Sequence, residues 1–186
     1  MIESKVEQPS HSGLLVAAGL LIGAGLLAGF VDGILLHEIL QWHHMVTSVR
    51  PATNVSDLKI NTLWDGLFHL GTWTLTVIGL ALLWRAGGRS DVPWSPKIFG
   101  GSLLLGAGLF DVIEGLIDHQ ILGIHHVKPG PNELAWDLGF LALGAVLAAV
   151  GWIILRSGQK ESSTFSRESP SSTDGFSQPL GENERL

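Results

Sequence analysis

Four hydrophobic runs constrain this chain more than any other feature. They span Leu14 to Leu36, Leu63 to Trp84, Ile98 to Ile117 and Leu134 to Leu155. Each has about 20 residues or more, the length a helix needs to cross the hydrocarbon core of a bilayer. The mean hydropathy of +0.34 fits that reading, and so does a charged fraction of only 15%. The expected fold is all-α: a four-helix transmembrane bundle made of two tandem helical hairpins, residues 14–85 and 97–156. The first run is too long, with the wrong flanks, for a cleaved signal peptide. Residues 1–13 and 157–186 are polar and rich in Ser, Glu and Pro, so flexible tails are expected there.

Composition removes several classes of function. The chain has no cysteine, so thiolate metal sites, disulfides and cysteine nucleophiles are excluded. Its net charge of −6 leaves no basic footprint for a nucleic acid. Lys5, Arg85, Arg89, Lys97, Arg156 and Lys160 lie on the side of the termini, against Arg50, Lys59 and Lys128 on the other. That bias predicts cytoplasmic termini and outward-facing loops at 37–62 and 118–133. The expected setting is the bacterial inner membrane, with the lipid bilayer as the first partner and a homo-oligomer allowed. Trp42, Trp64, Trp84, Trp94, Trp136 and Trp152 fall near helix ends, as an interfacial belt would.

The chain also repeats itself. Asp32 to His44, "DGILLHEILQWHH", aligns without a gap with Glu114 to His126, "EGLIDHQILGIHH". Three aligned histidines follow an acid-Gly pair in each copy, and a Trp-Asp pair opens the next helix at Trp64 and Trp136. Apolar bias explains matching Ile-Leu pairs but not aligned histidines, so a duplicated hairpin is expected. "GAGL" at Gly23 and again at Gly106 reads as small-residue helix packing.

The histidines and acids converge on one end. His37, His43, His44, His69, His119, His125 and His126 all fall there, and only His11 lies elsewhere. Asp32, Asp65, Asp111, Glu114 and Asp137 sit within the runs, in the half nearest the same loops. Each buried charge costs about 2.5–3.5 kcal/mol on insertion scales, which calls for pairing, neutralisation or a metal. Helical bundles bring imidazoles and carboxylates to a common interior to bind iron, copper(II), manganese or zinc. The expected ligands are His37, His43, His69, His119 and His125, with Asp32 and Glu114 as ligating or bridging carboxylates. Asp65 and Asp137 suit either ligation or orientation of a histidine ring. One member of each His-His pair is expected to ligate, and Met45 offers one thioether. If the third helix continues past the membrane, His119 and His126 stack on one side of it, and His37 with His44 repeat that spacing; Gly123 is the residue able to break it. Asn132 is the expected N-cap of the fourth helix.

These segments resemble domain-of-unknown-function family 2243 over roughly residues 14–156, on "FVDGILLHEILQWHHM", "WDGLFH" and "EGLIDHQILGIHHV". The resemblance implies a bacterial multi-span membrane protein, similar to partners of cytochrome oxidase assembly. It supplies no activity or cofactor. From the residues, the leading expectation is a redox-related metalloprotein with its site near the extracytoplasmic face. The alternatives are a metal-handling or assembly factor for a respiratory oxidase, a zinc-dependent membrane hydrolase, a bis-His haem b protein, and a proton or cation transporter.

Overall fold

The computed structural model describes residues 12–168, and the remaining residues of both tails, His11 among them, lie outside that range. The described chain is helical, with four helices long and apolar enough to cross a membrane. We label them α1 (Gly13–Ile39), α2 (Val55–Gly87), α3 (Pro96–Ile121) and α4 (Glu133–Glu168). The four-helix, all-α expectation holds.

Local chemistry starts the helices. The Asn54 side chain accepts from the Asp57 N–H at 3.0 Å, which caps α2 two turns before its apolar run. Ser95 accepts from the Ile98 N–H at 3.4 Å, and Pro96 sits in the first turn of α3, where its missing N–H is harmless. The Asn132 carbonyl accepts from the N–H groups of Ala135 and Trp136 as α4 begins. At the far end, α4 runs past Arg156, where its hydrophobic run stops, through Glu168. No proline interrupts that stretch, and Lys97 of α3 pairs with Glu161 across the seam. The tail expected from residue 157 onward is therefore helical in its first part.

The helices are ranked from the centre outward. Of the most apolar windows, 44% is buried in α1 and α3 but only 17% in α2 and α4. The two central helices pack on each other, α2 packs on α1, and α4 packs on α3. Glycines permit these approaches. A Cβ on Gly23 would overlap the Leu103 carbonyl, and one on Gly106 would overlap that of Leu20. The next glycines of the two "GAGL" segments serve the outer seams: Gly25 lies against Thr72 and Thr76 of α2, and Gly108 against Gly144 and Ala148 of α4. Small-residue packing is thus what these segments do.

The two central helices differ in one respect. In α1 a π-helical turn occupies Gly23–Gly29, whereas α3 is regular from Pro96 to Glu114. Gly23 precedes Asp32 by nine residues and Gly106 precedes Glu114 by eight. A π turn takes up one extra residue without rotating the helix beyond it, so both helices present their acids alike. A π segment then closes each helix: Gly33–Ile39, the second in α1, and Gly115–Ile121, the one in α3. The Leu40 N–H donates to the Leu35 carbonyl and the Leu122 N–H to that of Ile117, both at 2.8 Å.

The ends of the bundle have opposite characters. At the end where residues 88–95 cross, Leu15, Ala86, Val92, Ile98 and Leu155 form an apolar core. At the other end most buried side chains are polar, among them His37, His43, Asn61, Asp65, His119, His125 and Asp137.

Candidate metal centre

The two helices that carry the acids do not continue through the histidines. The chain turns at Gln41 (φ 49°) and at Gly123 (φ 55°), equivalent positions in the aligned segments. The i, i+7 stacks expected of His37 with His44, and of His119 with His126, therefore do not form. The turns fold the His-His pairs back over the helix ends. His125 reaches Glu114 that way, its Nε2 3.0 Å from Oε1.

Contacts in the two hairpins correspond pair by pair. His37 Nε2 lies 3.3 Å from Asp32 Oδ2, and His119 Nε2 lies 3.3 Å from Glu114 Oε1. The His44 and His126 Nδ1–H groups donate at 2.7 Å to Asp65 Oδ2 and Asp137 Oδ2 respectively. The other oxygen of each Asp accepts a backbone N–H, from Met45 at 2.8 Å and from Val127 at 3.0 Å. Phe68 and Phe140 pack on the rings of His37 and His119, each at 5.5 Å between centroids. The hairpins also grip each other. His43 Nδ1–H donates to the Val127 carbonyl at 2.8 Å, and His125 Nδ1–H to the Met45 carbonyl at 3.1 Å. Reciprocity of this kind is what an approximate two-fold relation produces.

Ring orientation follows from those bonds. A carbonyl accepts only, so His43 and His125 must carry the proton on Nδ1 and turn Nε2 inward. His37 is held the same way, its Nδ1 3.0 Å from Asp65 Oδ1; His119 is held less closely, 3.6 Å from Asp137 Oδ1. Second contacts of this sort set the ring angle of metal-ligating histidines. The imidazoles of His37, His43, His119 and His125 cluster, five of their six pairs having ring centroids 4.4 to 6.5 Å apart. Burial, with the neighbouring imidazoles of His37 and His125, pushes His43 down to about 2, so that it stays neutral with its Nε2 lone pair free.

The donor chemistry fits a transition ion. His37, His43 and His125 bring one donor atom each within 4.8 Å of one another, and so do Glu114, His119 and His125. Asp32 Oδ2, Glu114 Oε2 and the Nε2 atoms of His37, His43 and His119 are buried without hydrogen-bond partners. When Nδ1 holds the proton, Nε2 and a carboxylate oxygen face each other with lone pairs. A separation near 3 Å then requires an added proton or a cation.

The remaining sequence candidates fall outside both donor sets. His44 and His126 hold Asp65 and Asp137. His69 stands apart from both sets as well. Its Nδ1–H donates to the Asp65 carbonyl at 2.8 Å, and its ring covers Gly33 of α1. The corresponding side chain in the second hairpin is Leu141, which covers Gly115. The two side chains fill matching places over the two glycines. Asp111 lies one turn before Glu114, its Cβ against Gly144 of α4. Met45 acts through its backbone, and its counterpart Val127 has no sulfur at all. Sequence reasoning missed Phe68 and Phe140, although each lies three residues after the Asp of an aligned Trp-Asp pair. It also missed Lys128, whose ammonium lies over Trp42 and Trp136 at 4.5 and 5.4 Å and bridges the two hairpins.

Residues 18–158 match the family described as "Predicted membrane protein (DUF2243)", and the chain belongs to that family. No curated protein and no solved structure matches it.

Proposed function

We propose that this member of the family is an integral membrane metalloprotein whose buried His/carboxylate centre serves redox chemistry near one face of the bilayer. The observation that carries this reading is the inward convergence of four imidazole Nε2 atoms. His37 Nε2 faces the partnerless Oδ2 of Asp32, the Nε2 atoms of His119 and His125 face Oε1 of Glu114 beside its partnerless Oε2, and three of the four rings are locked by an Nδ1 bond. The binding residues are His37, His43, His119 and His125, with Asp32 and Glu114 alongside; Asp65 and Asp137 orient the rings. We read the hairpins as two copies of one unit, each supplying half of the donors. The bias of basic residues supports a histidine end on the side away from the cytoplasm.

Imidazole and carboxylate without thiolate suit iron, copper(II), manganese or zinc, and the first two would supply one-electron chemistry. Burial beneath Phe68 and Phe140 favours electron exchange over hydrolysis, which consumes water. Direct contact among the four rings suits ions between them rather than a porphyrin plane.

The test is purification in mild detergent without added metal, followed by elemental analysis per chain and an absorption spectrum. Near-stoichiometric iron or copper is expected, and it should be lost in the His37→Ala/His119→Ala double variant while helicity is retained. Zinc alone would remove the redox role. A Soret band would replace the centre with haem. No metal after reconstitution would overturn the metalloprotein reading.

A further inference from the structure

A cleft of about 450 Å³ opens from the bilayer side between α1, α2 and α3 and ends at Glu114 and Asp118. Its volume falls within the range of about 300–1,000 Å³ typical of small-molecule sites. Leu20, Leu21 and Leu109 line its length, while Ile113 and Ile117, at 55% and 43% exposed, form its mouth. Two features make it more than a packing gap. Glu114 lines it, is more than nine-tenths buried, and has no partner for Oε2. Asp118 also departs from the repeat, since the equivalent position in the first hairpin is Leu36. The second hairpin thus carries an extra acid where the cleft ends.

We propose that the cleft binds a lipid-soluble quinol, with its chain along α1 and α3 and its hydroxyl groups donating to Glu114 and Asp118. The polar end offers acceptors only, so an occupant must donate there to avoid leaving buried oxygens unsatisfied. Carboxylate- and phosphate-headed lipids are repelled by the same pair. Phe68 and Phe110, edge to face at 6.0 Å, line the cleft and give an aromatic head its natural walls. Glu114 Oε1 meanwhile faces His119 and His125, so the head group would adjoin the proposed centre. The assignment of a quinol rests on the redox reading above; the binding geometry does not.

The test titrates a short-chain alkyl benzoquinol and its dimethyl ether against the full chain in detergent, both as purified and after chelation. The quinol should bind at least tenfold more tightly than the ether in both preparations. Asp118→Leu, which installs the first hairpin's own residue, should narrow the preference for quinol over ether several-fold, leaving only the hydroxyl that donates to Glu114. Ile113→Trp, at the lipid-facing mouth, should weaken both by tenfold or more. Equal binding of quinol and ether, affinity unchanged in both variants, or tighter binding of an alkylamine of matched chain length would each overturn the proposal. Stoichiometric metal with no preference for quinol sinks this inference alone. Quinol preference in a chain that binds no metal sinks the redox centre and leaves the cleft's ligand standing.

Discussion

His43 and His125, one from each hairpin, lie face to face with ring centroids 4.7 Å apart and planes within 12° of parallel. Each is tethered to a backbone carbonyl of the other hairpin, at Val127 and Met45. The two rings are locked by opposite halves of the chain, so neither hairpin orients its own.

The carboxylates behind the rings can be tested without touching a ligand. Asp137 accepts from His126 and from the Val127 N–H, and stands behind His119. Asp137→Asn should lower metal affinity about 10–100-fold, the usual loss when a ring-orienting partner of a ligand is removed. Chelator competition measures it, and Asp65→Asn should behave alike.

His69→Leu should leave metal content unchanged, because Leu141 fills the matching place over Gly115. The thermal midpoint should move little, since the variant exchanges one packed side chain for the shape already used in the other hairpin. A loss of metal comparable to that of His37→Ala would return His69 to the ligand set.

The π turn makes a prediction about length. Deleting Ala24 removes the residue taken up by Gly23–Gly29, so α1 should become regular as far as Asp32 and keep its metal. Deleting Ala107 from the regular part of α3 leaves nothing to absorb the change and rotates Glu114 by about 100° against the packed turns below. Metal content per folded chain should fall in the second deletion only.

Gln41 holds a left-handed conformation at φ 49°, where its counterpart is Gly123. Such a conformation costs an L-residue about 1–2 kcal/mol. Gln41→Gly should therefore stabilise the protein by up to about 1 kcal/mol, after the greater freedom of glycine when unfolded. Gly123→Gln should destabilise it, and denaturant unfolding in mixed micelles would register both signs.

The spans were legible because hydropathy alone specifies them, and the fold class followed. The site was legible as far as the repeat reached: aligned acids and histidines indicated which end of the bundle would be polar. Two features were less legible, for separate physical reasons. Gly123 is readable as a residue able to break the third helix, whereas Gln41 at the matching position gives no turn signal. The bond from the His69 ring to the Asp65 carbonyl four residues before it is local, and nothing in residue type announces it. The backbone carbonyls of Met45 and Val127 left no trace in residue type, since any side chain supplies them.

The crossed tethers between His43 and Val127, and between His125 and Met45, carry one more consequence. Residues 88–95 lie at the opposite end of the bundle and contribute no donor. A nick there would leave two fragments, each with an even number of spans and the same topology, one unable to aim its own His43 and the other its own His125. Co-expressed, they should reassociate through the α1–α3 seam. Bound ion would then act as a linchpin, because ligand-bearing geometry exists only in the docked pair and binding energy becomes docking energy. Continuity of the polypeptide would be a convenience of synthesis, and the centre itself would be the joint.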